Sequence, residues 1–424
     1  MGFFSMKIKT YKIYTSGCKV NQYDSGKLAA ELERAGLVAA TENADIAIIN
    51  SCAVTQTAIN KSRRMINKAR KENPKAEIRL IGCWAKLKGE KIKKIIDQPT
   101  QAGLAMTGRS RYFIKIQDGC EQFCSYCIIP YVRGKLKSRP EAEVIAEIKQ
   151  AVKAGYGEIV LSGIHLGLYG EEKSLSLRAT ERSEAISGSS RLTRDCFVAG
   201  APRNDNLVIL LKKLIKIKNL GRIRLSSIEI TEVTDELIKL MMKSGKICRH
   251  LHIPLQTGNN KILKLMNRPY DAAYFKNKVL KIKNIMPDIA ISTDIIVGFP
   301  GETENDFRET EEFIKQIKFS RLHVFPFSPH AKLPAAKLPE QVNEKVKIKR
   351  AKILRQLSAK LAEDYKKKFK GKELLVVIEQ IKQNKIMGKT EYYFDVEVDK
   401  KNLKIIEHKN WRNRHPTSIG RRTS

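Results

Sequence analysis

Three cysteines stand close together in the stretch Ile116 to Arg133, IQDGCEQFCSYCIIPYVR: Cys120, Cys124 and Cys127, spaced CxxxCxxC. Thiolates at that spacing on a short loop can hold three corners of one soft metal cluster, and an iron–sulfur cube normally takes four such ligands. Three protein ligands leave one iron open, as a catalytic metal site keeps an open position. Zinc and a chance cluster are the competing readings. Zinc would want a fourth Cys or His nearby, and the next histidine, His165, is far along the chain. Phe113, Ile114 and Ile116 before the loop, with Ile128 and Ile129 after it, mark the exit of a buried strand. An aromatic, Tyr126, sits between the last two cysteines.

A second set is scattered. Cys18, Cys52 and Cys83 are too far apart for a local motif, but each follows a strand-like run: TYKIYTSGC, ADIAIINSC and AEIRLIGC. Taken singly, each reads as a small buried hydrophobe. In a parallel sheet, strand ends share one edge, where α/β folds bind ligands, so the three thiols can converge and hold a second cluster. Helical patterns alternate with these strands: NQYDSGKLAAELERAG, with Leu28, Leu32 and Ala35 on one face and Gly36 closing it, and a basic helix stopped by Pro74. Residues 7–98 therefore read as a small doubly wound α/β unit. Residues Pro99–Gly108 read as a linker.

From Arg111 a new series of βα units begins. Strands are expected at Phe113–Gln117, Glu158–Ser162, Arg222–Ser226, His250–Pro254, Ala290–Val297 and Arg321–Phe325. Six such units over 106–335 suggest a parallel partial barrel with its site at the strand C-termini. The loops there carry SGIHLGLYG with Gly163 and His165, SSIE with Ser227 and Glu229, HIPLQTG with His252, Gln256 and Gly258, and TDIIVGFPGET with Asp294, Gly298, Gly301 and Glu302. Glycine permits close approach of backbone to a ligand. Singly, each polar group reads as a turn or cap, GET before a helix included. The Ser-, Arg- and Ala-rich segment 171–206, with Cys196, breaks the series and reads as an insertion. Cys248 reads as structural. Residues 340–370 are a basic helix or two, and ELLVVIEQ and EYYFDVEVD in 371–424 alternate like strands around a turn near Gly388. The tail with Trp411 does not continue that pattern.

The chain has 424 residues, 80 Lys and Arg against 45 Asp and Glu, and a formal net charge of +35. That surplus points to a polyanion partner, nucleic acid before membrane, although a lysine-rich composition alone would raise it. Eight cysteines are too sparse for a disulfide framework, MGFFSMKIKTYKIY lacks an apolar core of signal length, and no run reaches membrane-spanning length. A reducing cytoplasm is the expected setting, without membrane contact.

CxxxCxxC followed by IIPYVRG resembles the radical S-adenosylmethionine (SAM) enzymes, specifically their methylthiotransferase branch, and GCKVNQYD, NSCAVT and GCWA look like that branch's N-terminal cluster motifs. The resemblance covers nearly the whole chain apart from the insertion and tail. It implies two 4Fe-4S clusters, each with an open iron: one on Cys120, Cys124 and Cys127 that cleaves SAM to a radical, and an auxiliary one on Cys18, Cys52 and Cys83 that delivers sulfur. It implies a SAM site lined by Tyr126, Gly163, His165, Ser227, Glu229, Gln256 and Gly298. The branch usually has a proline where this chain has Ile230. Arg133 and Arg139 are candidates for RNA contact. The last segment resembles the TRAM domain, an OB-like β-barrel that binds RNA.

GCKVNQYD with IQDGCEQFCSYC looks most like the enzymes acting on threonylcarbamoyl-adenosine beside the tRNA anticodon; the isopentenyl-adenosine enzymes more often read GCQMN. A third branch modifies an aspartate of a ribosomal protein. A non-catalytic iron–sulfur RNA-binding protein is the alternative of another class. Basic charge and the terminal segment favour tRNA, whose anticodon stem-loop offers bases that can be splayed into a pocket. The expected partners are that stem-loop and an electron donor such as flavodoxin or ferredoxin, with the protein a monomer.

Overall fold

The computed structural model describes residues 9–88, 110–171 and 205–399. The expected linker, nearly all of the insertion with Cys196, and the tail with Trp411 lie outside the described residues.

The first sheet holds β1 (Thr10–Thr15), β2 (Val38–Ala39), β3 (Ile46–Ser51) and β4 (Glu77–Gly82), all parallel, in the order β2-β1-β3-β4. The central strand β3, IAIINS, is buried along its whole length, as a strand covered on both faces must be. Leu32, Leu28 and Ala29 of the helix Lys19–Arg34 cover one face, against Tyr11, Ile46 and Ile48. Ala69, Met65 and Ile66 of the helix Gln56–Glu72 cover the other, against Tyr14, Ala47 and Ile49. The sheet is thus doubly wound, as its sequence pattern implies. The edge strand β2 is an addition: two exposed residues carry no alternation to read. Strand order reverses between β1 and β3, the place where open α/β sheets bind ligands.

The second unit begins with β5 (Arg111–Lys115), followed by the short antiparallel pair β6 (Gln117–Asp118) and β7 (Lys137–Ser138) that frames the cysteine loop. Then come β8 (Glu158–Ser162), β9 (Arg222–Leu225), β10 (His250–His252), β11 (Ala290–Val297) and β12 (Arg321–Pro326). They form two parallel triples, β5-β8-β9 and β10-β11-β12, joined by parallel bridges Ile223↔Ile247 and Ser227↔His252. The result is a (β/α)6 partial barrel with β5 and β12 as outer strands. Tyr112, Ile114, Ile159, Leu161, Ile223, Leu225, Leu251, Ile291 and Val324 point outward into one large core under the helices. By the two-residue period of a strand, Arg111, Phe113, Glu158, Ser162, Arg224, Ser226, His250, His252, Asp294 and His323 point inward. The barrel lumen is therefore polar.

The basic segment 340–370 forms a single helix, Glu344–Lys367, that packs along β12, with Ser358 Oγ accepting from the Leu322 N–H at 3.0 Å. Beyond it, β13 (Val376–Lys382), β14 (Lys385–Thr390) and β15 (Asp395–Asp399) make an antiparallel meander. Gly388 is not at a turn. It lies inside β14 opposite Ile378 and Val396, where a Cβ would meet Val376 Cγ1 at 2.4 Å. The turns fall instead at Gln383 and Tyr393, both at positive φ. Among the described residues these three strands do not close into the expected barrel. They dock on the N-terminal end of the barrel strands. Arg222 donates to the Leu375 and Lys389 carbonyls at 2.8 and 2.7 Å, and Arg224 to those of Thr390 and Glu391 at 2.9 and 3.1 Å. Tyr393 stacks on His250 with centroids 4.4 Å apart, flooring the lumen.

Candidate active site

The CxxxCxxC loop leaves β6 through Gly119, at φ +77, where any Cβ would stand 1.9 Å from the Lys135 carbonyl oxygen. Gln117 holds the loop from beneath, its Nε2 donating to the Asp118 and Gly119 carbonyls and its Oε1 accepting from the His165 N–H at 2.7 Å. The loop turns on Cys127 N–H to the Cys124 carbonyl, 3.0 Å, and Ser125 pins it to the Leu265 and Met266 carbonyls. Tyr126 is packed with Phe299, Phe327 and Met266, its ring edge-on to Phe299 at 6.4 Å.

Each thiol has a polar neighbour or a buried setting. His165 Nδ1 lies 3.4 Å from Cys120 Sγ, and its other nitrogen faces Glu232. Arg268 Nη1 lies 3.3 Å from Cys124 Sγ and its guanidinium also binds Glu229 and the Tyr270 hydroxyl. Burial pushes the Cys124 thiol up, with Arg268 opposing, and drives Cys127 to about 12. Uncoordinated, these thiols stay protonated. A metal that deprotonates them outright is the natural partner.

Of the other residues expected to line the cofactor, Glu229 is committed to Arg268 and caps the turn Ile230–Glu232. That turn accommodates Ile230 as a buried residue. Gly163 packs on Gln117. Gln256 is buried at φ +72 beside β11, and Ser227 bridges to β10. At Gly298 a Cβ would meet Lys347 Cγ at 2.3 Å, so this glycine makes room for the Lys347 stem. The GFPGET loop is tied by Glu302 to Arg350 at 2.6 Å and its helix is capped by Thr303 with Asp306.

The second triad lies at the C-terminal ends of β1, β3 and β4. Cys18 is the exposed cap of the helix Lys19–Arg34, Cys52 follows β3 directly, and Cys83 opens a short helix after β4. Two glycines permit the approach: Gly17 at φ +112 stands against Cys52, and at Gly82, φ +87, a Cβ would be 2.4 Å from the Ser51 carbonyl oxygen. Asn21 stitches the strand ends, donating to the Ser16 and Ser51 carbonyls at 2.9 and 3.2 Å. Burial raises both Cys52 and Cys83; Cys18 adds to the rise at each, and Cys83 to that at Cys52.

Arg133 joins the two triads. It ends the helix Ile129–Arg133 just after Cys127, and its guanidinium bonds Asp118 at 3.0 Å, Asp24 at 3.4 Å and Asn21. It also bonds to Cys83, opposing the burial that raises that thiol. Its side chain is 7% exposed. Arg139 is likewise engaged, by Glu147 at 2.7 Å and the Tyr23 hydroxyl at 2.8 Å. Both arginines knit the two units together instead of standing on the surface where a phosphate backbone would meet them.

Every described cysteine is a free thiol. Among the described residues no three His, Cys, Asp or Glu stand as ligands of one ion would. The thiols of each triad act electrostatically on one another, with Arg268 or Arg133 beside them. Soft donors in threes with an adjacent cation fit a multinuclear, anionic iron–sulfur cluster in each triad.

Arg268 was the partner that periodicity and motif reading missed. Its signal is chemical: an arginine directly before proline, three residues past the end of the helix Asn260–Leu265, in a stretch, 256–270, that holds no carboxylate of its own.

Residues 114–314 match the radical SAM superfamily and residues 10–102 match a family described as Uncharacterized protein family UPF0004. The chain is 36% identical over 433 residues to the threonylcarbamoyladenosine tRNA methylthiotransferase MtaB of Bacillus subtilis (strain 168), covering 91% of this chain and 90% of that one. To the protein of the same name in Thermotoga maritima it is 35% identical, with 91% and 90% covered. The tRNA-2-methylthio-N(6)-dimethylallyladenosine synthase of Carboxydothermus hydrogenoformans is 32% identical, with 91% and 92% covered. Among solved structures, the radical SAM methyltransferase TsrM of Kitasatospora setae superposes with a TM-score of 0.51 at 11% identity, over 77% of this chain and 75% of that one, a likeness of fold.

Proposed function

The chain belongs to the radical SAM methylthiotransferases, and from that premise we propose that it adds a methylthio group to threonylcarbamoyl-adenosine next to the anticodon of tRNA. The observation that carries the reading is the pair of cysteine triads, one at the mouth of the barrel and one at the switch point of the first sheet, joined through Arg133. With its two 4Fe-4S clusters and SAM bound, such a site supplies a 5′-deoxyadenosyl radical at one triad, sulfur at the other and the methyl group from a second SAM.

The chain's own residues do the positioning. Cys120, Cys124 and Cys127 would hold the radical-generating cluster and Cys18, Cys52 and Cys83 the auxiliary one. Arg268 and Arg133 balance the negative charge that thiolates bring into buried surroundings. Tyr126, Gln256, Ser227 and Gly163 surround the mouth of the lumen on the side where SAM would lie. The +35 net charge suits a tRNA partner, since phosphate contacts supply most of the affinity. We place the protein in the cytoplasm, working as a monomer with a flavodoxin- or ferredoxin-type donor. No helix among the described residues is long and apolar enough to cross a membrane.

The test is nucleoside mass analysis of tRNA from cells lacking methylthiolation, after anaerobic incubation with reconstituted protein, SAM and reductant. Methylthio-threonylcarbamoyl-adenosine is the expected product. Methylthio-isopentenyl-adenosine would move the enzyme to the other tRNA branch. SAM cleavage without any methylthio nucleoside would point to the ribosomal-protein branch, and no SAM cleavage to a non-catalytic iron–sulfur protein.

A further inference from the structure

The lumen of the barrel opens between its outer strands β5 and β12, and Lys19 enters from that side. This lysine follows Cys18 and begins the helix packed beside β5. Its ammonium lies 6.0 Å from the centroid of Phe113, an inward residue of β5, and 5.6 Å from that of Tyr393 on the lumen floor. Among the described residues Lys19 makes no ion pair. The inward carboxylates of the six strands are both engaged: Glu158 by Arg222 and Arg224, and Asp294 by His252 Nε2 at 3.1 Å. Other groups record the resulting positive potential. Burial would raise the Tyr393 phenol, yet Lys19, Arg111, Lys389 and Arg224 outweigh it and lower it. Burial and His252, with Arg321 and Lys19, hold His323 at about 4. Three buried polar atoms on neighbouring strands, Ser162 Oγ, Ser226 Oγ and His250 Nδ1, have no hydrogen-bond partner among the described residues. A lysine without an ion-pair partner, whose burial disfavours its charge until an anion joins it, and orphaned hydrogen-bonding groups in one lumen suit an anionic ligand that carries polar atoms.

We propose that Lys19 is the specificity residue for the substrate's amino-acid substituent, pairing with the carboxylate of threonylcarbamoyl-adenosine in the lumen between the two triads. This rests on the function proposed above. Of the two adenosine substituents in play, threonylcarbamoyl carries a carboxylate, a hydroxyl and a urea-like amide, whereas isopentenyl is wholly apolar. An apolar chain here would leave a desolvated ammonium and the orphaned serines unpaired, and a site built for polar groups rejects the analogue that lacks them. The carboxylate satisfies the cation, and its hydroxyl and amide can meet the unpartnered serine and histidine atoms.

The test uses the reconstituted holoenzyme and synthetic anticodon stem-loops bearing threonylcarbamoyl-adenosine, either as the free acid or as its neutral methyl ester. The wild type is expected to prefer the acid by about 10- to 100-fold in kcat/KM, the range of a hydrogen bond to a charged group. Lys19→Met should abolish that preference and Lys19→Arg should keep it. The acid-to-ester ratio is internal to each protein, so a general loss of folding or of cluster does not mimic the effect. A wild type that uses ester and acid equally overturns the proposal without any variant. A Lys19→Met protein with the wild-type ratio also overturns it. Methylthiolation of isopentenyl-adenosine in place of threonylcarbamoyl-adenosine defeats the functional reading itself and this inference with it. Activity on threonylcarbamoyl-adenosine with no acid preference defeats this inference alone.

Discussion

Replacing Glu158 by glutamine removes the one carboxylate that the buried Arg222 and Arg224 and the half-buried Arg111 share. Glu158 is fully buried, 2.5 Å from Arg222 Nε, 2.7 Å from Arg224 Nε and 3.8 Å from Arg111 Nη1. Breaking a buried ion pair by deleting one partner costs about 3–5 kcal/mol. The lower end applies, because Arg222 and Arg224 keep four bonds to carbonyls of the C-terminal sheet and Arg111 keeps Glu379 at 2.5 Å. At about 2–4 °C per kcal/mol for a unit of this size, the loss of about 3 kcal/mol lowers Tm by about 6–12 °C. Circular dichroism of apo-protein melted near pH 7.5 reads the difference. Limited proteolysis should also release the β13–β15 sheet sooner. The pH dependence has a definite sign. Burial would raise the Glu158 carboxyl, but Arg224, Arg222 and Arg111 outweigh it and hold it below its ordinary value. Its contribution is whole above about pH 4.3, the unfolded value, and is lost as the pH falls further, so wild type and variant should converge in acid. A Glu158→Gln protein melting within about 1 °C of the wild type at pH 7.5 would refute this account of how the lumen floor is held.

Four other outcomes follow, three from the geometry and one from the charge surplus. Gly82→Ala should cost about 1–3 kcal/mol and drain iron from the auxiliary site, because strain at positive φ adds to the clash with Ser51. Gly36→Ala, at φ +84 with open space around it, should cost about 1 kcal/mol and leave iron content unchanged. Arg268→Met should make the SAM-binding cluster harder to reduce, by on the order of 100 mV in an anaerobic titration followed by electron paramagnetic resonance, with Arg268→Lys falling between. Affinity for tRNA should fall steeply and linearly on a log–log plot against salt, and a flat dependence would deny that the charge surplus binds phosphates.

Much of the site was readable because the chemistry sits where two periodicities end. Cys52 follows an apolar strand buried along its whole length and Cys83 a half-buried one, and Gly82 beside Cys83 betrays a tight approach. The six barrel strands were legible within a few residues for the same reason. Long-range pairings were not. Arg133 and Arg139 look like surface cations in a basic chain, and only folding shows Asp118, Asp24 and Glu147 closing on them. Arg268 finds Cys124 and Glu229 from 144 and 39 residues away. Gly388 read as a turn because glycine usually marks one, whereas here it makes room for Val376 in a neighbouring strand. Its strand partner could not be inferred locally.

The central claim is that the two triads do separate jobs, and one comparison addresses it most directly. Cys124→Ala and Cys52→Ala proteins would be reconstituted anaerobically and assayed in parallel for 5′-deoxyadenosine and for methylthio nucleoside in tRNA. Cys124→Ala should release no 5′-deoxyadenosine and form no product, while Cys52→Ala should still cleave some SAM yet form no methylthio nucleoside. Full product from Cys52→Ala would contradict the sulfur-delivery role of the first triad, and SAM cleavage by Cys124→Ala would contradict the assignment of the radical site.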